Sequence, residues 1–289
     1  MNSIKDLIVG AADNYSWDKI HNWIVSIEKS GFEGDVVLLV YRMDDMTVRQ
    51  CLQHPKMTMV QCSTDSWAKP IVHNAKGRDT QSHQMRFFHL WQFLKEHKMS
   101  YRYVIVTDVR DVVFQSNPSQ WFNQFAVRPD MIAPSEGIEY QDEAWGKENI
   151  LNGFGPYVYE DMKTRRICNV GTIAIRGEIA GHVAMNLYLL GENRYIPNDQ
   201  SGFNWFIYHQ MTVSPETVMI ATEEFAWACE VGTMADPHKQ HLWPLLKEAQ
   251  PMQKADGIYN SVGEKFVMVH QYDRNPEYNE YFNKLFGEP

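Results

Sequence analysis

YRYVIVTDVRDVVFQSNP, residues 101–118, contains two apolar runs separated by a short charged segment. The first run predicts a buried strand over Tyr103–Thr107. The charged residues that follow it are Asp108, Arg110 and Asp111. Because ligands of open α/β sheets bind beyond the carboxyl ends of the strands, this position indicates a ligand site at the end of the strand.

Strand-like and helix-like segments alternate before this stretch. Apolar runs at 5–11, Asp35–Tyr41 and 57–62 predict further strands, and the segments 17–30 and 46–53 between them are interpreted as helices. Runs that are apolar throughout are typical of strands covered on both faces. The alternation therefore predicts an α/β fold with a mostly parallel central sheet flanked by helices on both faces.

The remaining segments are less regular. Strands are predicted at 131–134 and 167–175, and long polar loops at 63–78 and 136–163. Loops of that length are usually functional or disordered. Since no change in composition marks a linker, we predict one domain over residues 1–289.

The composition argues against several classes of protein. A formal net charge of −9 argues weakly against binding to nucleic acids or anionic membranes. The N-terminus lacks the pattern of a signal peptide, and no apolar run approaches the roughly 18 residues of a membrane span. Four scattered cysteines without CxxC spacing are typical of a reducing compartment. We therefore expect a cytoplasmic protein with no transmembrane segment and no nucleic-acid partner.

Asp108 and Asp111 have two interpretations. Two carboxylates at the mouth of a buried strand repel each other unless a cation lies between them, and carboxylate oxygens suit Mg²⁺ or Mn²⁺, which commonly bridge to phosphates. The alternative is a set of salt bridges with Arg86, Arg102 or Arg110. The position after a strongly apolar strand favours the metal. Arg110 itself is expected to point outward or to pair with an acid, with no catalytic part.

Five segments resemble, in their order along the chain, the GT-A-fold glycosyltransferases that carry a DxD motif and use nucleotide-sugar donors. The acidic stretch resembles the DxD segment, although two residues instead of one separate the acids here. The other four segments are LIVGAADNY at 7–15, CNVGTIAI at 168–175, PNDQSGFN at 197–204 and VMVHQYD at 267–273. The resemblance covers about residues 5–273 and is nearest in style to small viral and bacterial transferases that build surface glycans.

The resemblance implies a GT-A-like single domain, with a nucleotide-binding half at about 1–118 and an acceptor-binding half at about 119–289. It implies transfer of a sugar from a UDP- or GDP-type nucleotide-diphosphate sugar to a hydroxyl group of a carbohydrate acceptor, such as a growing glycan. The implied cofactor is Mn²⁺ (or Mg²⁺), with Asp108, Asp111 and His270 as ligands, because a mixed Asp and His set is compatible with manganese. For His270 the alternative is an ordinary hydrogen-bonded histidine at a strand end.

The resemblance also assigns residues to the donor. It implies that Ala11, Asp13 and Tyr15 hold the nucleotide base, and that Asn169 and Gly171 approach the sugar, since glycine lets another group come close. An Asx-type turn before the first helix is the alternative for the base-binding residues. A bulge in the strand is the alternative for the sugar-binding pair.

Three further residues complete the predicted site. Arg86, in a helix predicted over 79–98, is assigned to the diphosphate because guanidinium groups suit phosphate; a buried salt bridge to one of the paired acids stays open. Asp199 is assigned to orient the sugar or to act as the base that deprotonates the acceptor, with Gln200 facing the anomeric carbon. A plain helix N-cap is the alternative for Asp199.

Two other functions stay open at this point. A nucleotidyltransferase shares the fold and the use of a metal, but it usually has a glycine-rich, basic loop after the first strand, which GAADNYSW lacks. A non-catalytic carbohydrate-binding protein would use the many aromatic residues. The absence of GxGxxG and GxxxxGK[ST] motifs argues against Rossmann dinucleotide binding and P-loop hydrolysis. Glu223 and Glu224 are candidates for contacting the acceptor and for acting as the base, but they are less favoured than Asp199.

Overall fold

The computed structural model describes residues 4–63, 81–97, 100–191, 199–211, 213–214 and 216–287. The loop predicted over 63–78 therefore lies outside the described residues, except for Ser63. The strands are β1 (Leu7–Asp13), β2 (Asp35–Tyr41), β3 (Met57–Gln61), β4 (Tyr103–Thr107), β5 (Val112–Phe114), β6 (Met131–Glu139), β7 (Arg166–Cys168), β8 (Thr172–Arg176), β9 (Val218–Ala221), β10 (Ala228–Glu230), β11 (Met252–Lys254), β12 (Gly257–Tyr259) and β13 (Met268–His270). The helices are α1 (Trp17–Lys29), α2 (Asp45–Cys51), α3 (Gln81–His97), α4 (Pro118–Trp121), α5 (Ala144–Phe154), α6 (Pro156–Met162), α7 (Gly177–Gly191), α8 (Asp199–His209), α9 (Val231–Met234) and α10 (Pro276–Phe286).

A central sheet organises the fold, with the strand order β3-β2-β1-β4-β8-β6-β7 and β9 paired with β6. Strands β1 to β4 run parallel, and β6 and β9 are parallel to each other. Because β8 is antiparallel to both of its neighbours, β6 runs in the same direction as β4. The carboxyl ends of β1, β2, β4, β6 and β9 therefore meet at one edge. This confirms the predicted α/β fold with a mostly parallel central sheet.

Helices cover both faces of the sheet, as predicted. Alternate residues of β1 point to opposite faces, because side chains alternate along a strand. Leu7 and Val9 pack in a core that includes side chains of α3, α7 and α8, whereas Ile8 packs in a second core with α1. The indole of Trp23 in α1 donates a hydrogen bond to Thr107 Oγ1 over 2.9 Å, which fixes the carboxyl end of β4 beneath the helix.

A smaller sheet joins distant parts of the chain beside this edge. It has the strand order β10-β13-β5, with His270 paired opposite Val112 in β5 and beside Glu230 in β10. His270 is the last residue of β13, and its side chain is buried. Pairing of β13 with β5 therefore brings residue 270 next to Asp111.

Two sequence predictions in the second half are wrong. The segment 136–163 is not a long loop, because β6 continues to Glu139 and helices α5 and α6 follow. Buried apolar side chains hidden among the polar residues hold these helices, including Ile150 and Met162. The predicted strand 167–175 is two strands, β7 and β8. Asn169 interrupts it, because its side chain accepts a hydrogen bond from the Gly171 backbone over 2.7 Å in place of a ladder partner.

Local chemistry explains where some of the helices begin. Asp44 caps α2 by accepting from the backbone of Met46 and Thr47, and Asn117 caps α4 with Pro118 at its first position. Ser16 has the extended backbone of an N-cap before α1, but its side chain makes no capping hydrogen bond. Among the described residues, no helix has the length and apolar content required to cross a membrane.

Candidate active site

Three side chains from two parts of the chain converge at the carboxyl edge of the sheet. Asp108 follows β4 directly, and its backbone N–H donates to Gly171 O over 2.8 Å. Asp111 immediately precedes β5, and its carbonyl accepts from the backbone of Gln271 over 2.7 Å. With His270 from β13, one ligand atom of each side chain lies within 4.8 Å of the other two. This spacing is compact enough for one cation to contact all three.

The aspartates each divide their two oxygens between an arginine and the histidine. Asp108 Oδ1 accepts from Arg86 over 2.5 Å, while its Oδ2 lies 3.4 Å from His270 Nε2. Asp111 Oδ2 accepts from Arg110 over 2.6 Å, while its Oδ1 lies 3.8 Å from the same nitrogen. The salt bridges and the metal-type cluster, which the sequence left as alternatives, therefore coexist. The expectation that Arg110 pairs with an acid is confirmed.

His270 is held by a carboxylate on its other side. Its Nδ1 lies 2.7 Å from Glu230 Oε2, and Glu230 Oε1 accepts from Thr172 Oγ1 over 2.8 Å. Since a carboxylate only accepts, Nδ1 carries a proton and Nε2 faces the aspartates. Nε2 is buried and has no hydrogen-bond partner. An unsatisfied buried nitrogen beside two carboxylate oxygens fits a divalent cation with an outer-shell carboxylate behind the histidine.

The pKa values of the cluster are shifted by burial and by the charges packed beside each group. Burial alone would lower the pKa of His270, but the charge of Glu230 and the nearby Asp108 carboxylate raise it well above its ordinary value. Burial and the nearby Asp108 raise the pKa of Asp111. Burial would also raise the pKa of Asp108, but the charge of Arg86 lowers it below its ordinary value. We call His270, Asp108, Asp111 and Glu230 the His270 cluster.

A cavity of about 360 Å³ opens beside the two aspartates. Its volume lies within the range of small-molecule sites, roughly 300–1,000 Å³. Six of the predicted site residues line it: Ala11, Asp13, Tyr15, Arg86, Asp108 and Asp111. Asp13 accepts from both arms of the Arg42 fork, over 2.8 and 2.6 Å. Burial and the charge of Asp108 raise the pKa of Tyr15, so the phenol stays protonated beside the acids.

The remaining predicted residues join this region through direct contacts. Arg86 bridges two acids, because its second arm donates to Asp199 Oδ2 over 2.9 Å. This geometry favours the salt-bridge interpretation of Arg86. Gly171 is enclosed: an added Cβ would lie 2.6 Å from His270 Cε1 and 2.8 Å from Asp108 Oδ2. The glycine therefore permits the close approach that the cluster requires.

A second buried group lies beside the first and was not predicted as a unit. Glu136 Oε1 accepts from Asn169 Nδ2 over 2.9 Å and from Gln200 Nε2 over 2.8 Å, and its Oε2 accepts from Thr233 Oγ1 over 2.9 Å. Burial and the charge of Glu230 raise the pKa of Glu136. We call Glu136, Asn169, Gln200 and Thr233 the Glu136 cluster. It orients the two amides that the sequence assigns to the donor sugar.

Sequence reasoning missed Glu136 and Glu230. Glu136 lies just beyond the predicted strand 131–134, so the rule of strand ends that pointed to Asp108 also applied to it. Glu230 lies in the apolar run AWACEV, and no local signal marks it. Glu223, a less favoured acceptor candidate, instead accepts from the backbone and hydroxyl of Ser261 over 3.0 and 2.5 Å.

The fold has a counterpart among solved structures. The galactosyltransferase LgtC, crystallised in complex with donor and acceptor sugar analogues, matches with a TM-score of 0.57 at 12% identity, over 98% of this chain and 97% of that chain. No family model and no curated protein sequence matches the chain. At this identity the likeness establishes the fold, and it confirms the GT-A-like architecture predicted from the sequence.

Proposed function

We propose that this chain is a metal-dependent glycosyltransferase that moves a sugar from a nucleotide-diphosphate sugar to a hydroxyl group of a carbohydrate acceptor. One observation carries the proposal: Asp108, Asp111 and His270 turn one ligand atom each toward a common point beside the cavity. The fold likeness to an enzyme solved with donor and acceptor sugar analogues supports the same class of reaction.

In this proposal the side chains of Asp108, Asp111 and His270 hold Mn²⁺ or Mg²⁺. When bound, the ion supplies positive charge to the diphosphate leaving group. Glu230 keeps His270 in the tautomer that presents Nε2. Arg86 holds Asp108 and Asp199 at fixed positions, because it binds both carboxylates and is buried.

The nucleotide is proposed to occupy the wall formed by the end of β1. Tyr15 offers a ring for stacking on the base, and the Asp13 carboxylate, oriented by Arg42, accepts hydrogen bonds. The backbone of Ala11 lies in the same wall. These residues surround the cavity on the side of the sheet where α/β folds bind ligands.

The sugar and the acceptor are proposed to lie between the two clusters. Asn169 and Gln200 present amides that Glu136 orients, and Gly171 allows Asp108 and His270 to pack closely beside them. Asp199, partly exposed and held by Arg86, is the candidate base for the acceptor hydroxyl. Gln200 lies next to it in α8 and is proposed to face the anomeric carbon.

A thermal-shift screen of UDP, GDP and their sugars, with and without Mn²⁺, tests this function. We expect one nucleoside diphosphate to raise the melting temperature in a manner that depends on Mn²⁺, because a ligand that binds the folded state stabilises it. Asp111→Ala should lose this response, and the exposed control Asp256→Asn should keep it. Stabilisation by nucleoside triphosphates with pyrophosphate release would instead indicate a nucleotidyltransferase. Stabilisation by sugars alone would indicate a binding protein.

A further inference from the structure

Three arginines line the cavity: Arg42, Arg86 and Arg110. They differ in their exposure and in the carboxylates that they bind. Arg86 is only 5% exposed, and both of its arms bind carboxylates. Arg42 grips Asp13, on the wall proposed for the base. The Arg110 side chain is 35% exposed and lies beside the predicted metal ligands.

Two carboxylates hold Arg110 in place, but they accept only some of the hydrogen bonds that its guanidinium group can donate. Its Nη2 donates to Asp111 Oδ2 over 2.6 Å, and its Nη1 donates to Asp273 Oδ2 over 2.7 Å. A guanidinium group has five N–H donors, so donors remain after these two bonds. The two acids therefore orient the cation while its exposed part lines the cavity.

The position of Arg110 relative to the His270 cluster is specific. Asp111 presents Oδ2 to Arg110 and Oδ1 toward His270, so the arginine and the predicted cation flank the same carboxylate. An anion bound at the cation would thus lie within reach of the guanidinium. Arg110 and Tyr15 both line the same cavity.

The spacing between Asp108 and Asp111 allows an arginine to lie beside the cavity. Two residues, Val109 and Arg110, separate the acids, in contrast to the single residue of a DxD motif. Val109 is 2% exposed and packs so closely over Gly10 that an added Cβ there would lie 2.4 Å from Val109 Cγ2. The valine therefore anchors the turn in the core, and the arginine faces the cavity.

We propose that Arg110 binds the diphosphate of the donor nucleotide while it remains paired with Asp111 and Asp273. This inference rests on the proposed function and assigns the phosphate-binding arginine to Arg110 instead of Arg86. A guanidinium fork suits phosphate, and charge-assisted hydrogen bonds of this kind are the strong ones. Positive charge at the diphosphate is then shared between the metal and Arg110.

Calorimetric titration with UDP and GDP, in Mn²⁺ and in EDTA, tests the proposal on the full chain. The variants are Arg110→Gln, Arg110→Lys and the control Arg274→Gln, since Arg274 lies 3.9 Å from the same Asp273 but outside the cavity lining. We expect Arg110→Gln to weaken diphosphate binding about tenfold or more. Arg110→Lys, which keeps the charge but loses the fork, should be intermediate, and Arg274→Gln should match the wild type.

The affinity of the nucleotide-free protein for Mn²⁺ distinguishes two roles of Arg110: binding the diphosphate, or only positioning Asp111. We expect Arg110→Gln to bind Mn²⁺ as tightly as the wild type or more tightly, because a competing cation is gone. A parallel loss of Mn²⁺ and diphosphate affinity would show that Arg110 acts only by placing Asp111, and it would overturn the inference. Unchanged diphosphate binding by Arg110→Gln would also overturn it, with the proposed function intact. A wild-type protein that binds neither UDP nor GDP would overturn both.

Discussion

The His270 cluster and the Glu136 cluster lie at the same edge of the sheet, and both bury charge, but they satisfy it differently. In the Glu136 cluster, both carboxylate oxygens accept hydrogen bonds from neutral donors. In the His270 cluster, two aspartates face a buried nitrogen that has no hydrogen-bond partner. A buried polar group without a partner is costly. The first arrangement is satisfied by hydrogen bonds within the protein, whereas the second presents a nitrogen and two carboxylate oxygens that can bind a cation.

The sharpest test of this contrast is Asp111→Ala. Removing one of the converging oxygens leaves the predicted ion with an incomplete ligand set, so we expect loss of Mn²⁺ binding. Transfer should fall at least about a hundredfold, beyond the tenfold to hundredfold typical of outer-shell partners. Nucleoside diphosphate released from the donor measures the transfer, with Asp256→Asn as the control. Full transfer by Asp111→Ala in the presence of metal would refute the assignment.

Glu230→Gln tests the outer shell of the His270 cluster. An amide can donate a hydrogen bond to His270 Nδ1, which favours the tautomer with its proton on Nε2, where the metal should bind. We expect Mn²⁺ affinity to fall about tenfold to a hundredfold. Electron paramagnetic resonance of free Mn²⁺ measures this affinity, and the exposed Glu264→Gln serves as the control. If Glu230→Gln binds Mn²⁺ like the wild type, the histidine is not oriented for a metal.

Substitution of Glu136 tests whether the second cluster is a scaffold. Glu136→Ala leaves the amides of Asn169 and Gln200 without their acceptor, and we expect a loss of about 1–3 kcal/mol in the free energy of unfolding. Glu136→Gln preserves the network, because its carbonyl can accept from both amides and its amino group can donate to Thr233. Urea unfolding at neutral pH should find it near the wild type. Equal destabilisation by both variants would mean that the charge itself is required.

The smallest effect that we expect is on the pH dependence of stability. The pKa of His270 is raised above its ordinary 6.5 in the folded state, so the histidine stabilises the metal-free protein fully below that pH. This contribution is lost as pH rises through the folded-state pKa. Because metal binds the neutral imidazole, Mn²⁺ should stabilise the protein more as pH rises. Unfolding with and without Mn²⁺ between neutral and mildly alkaline pH measures both trends, and parallel curves would contradict the cluster assignment.

Much of the fold was predictable because strand positions follow from local apolar patterns. The bounds of β2 and β4 agree with the sequence prediction residue for residue. The helices α5 and α6 were not predictable in this way, because their few buried side chains are scattered among polar residues. Some residues of the site could also be predicted, because an acidic residue directly after a buried strand can be recognised from the local sequence.

The sequence pattern by itself placed Asp108 and Asp111 at the end of a buried strand. It could do so because the burial and the ends of a strand depend on residues that are neighbours in the sequence. Folding in three dimensions assigned each carboxylate oxygen its partner, set Glu230 behind His270, and turned Arg110 to the cavity while Arg86 was buried. These outcomes depend on β13 pairing with β5 and β10. Contacts between segments that are distant in the sequence cannot be recognised from local periodicity.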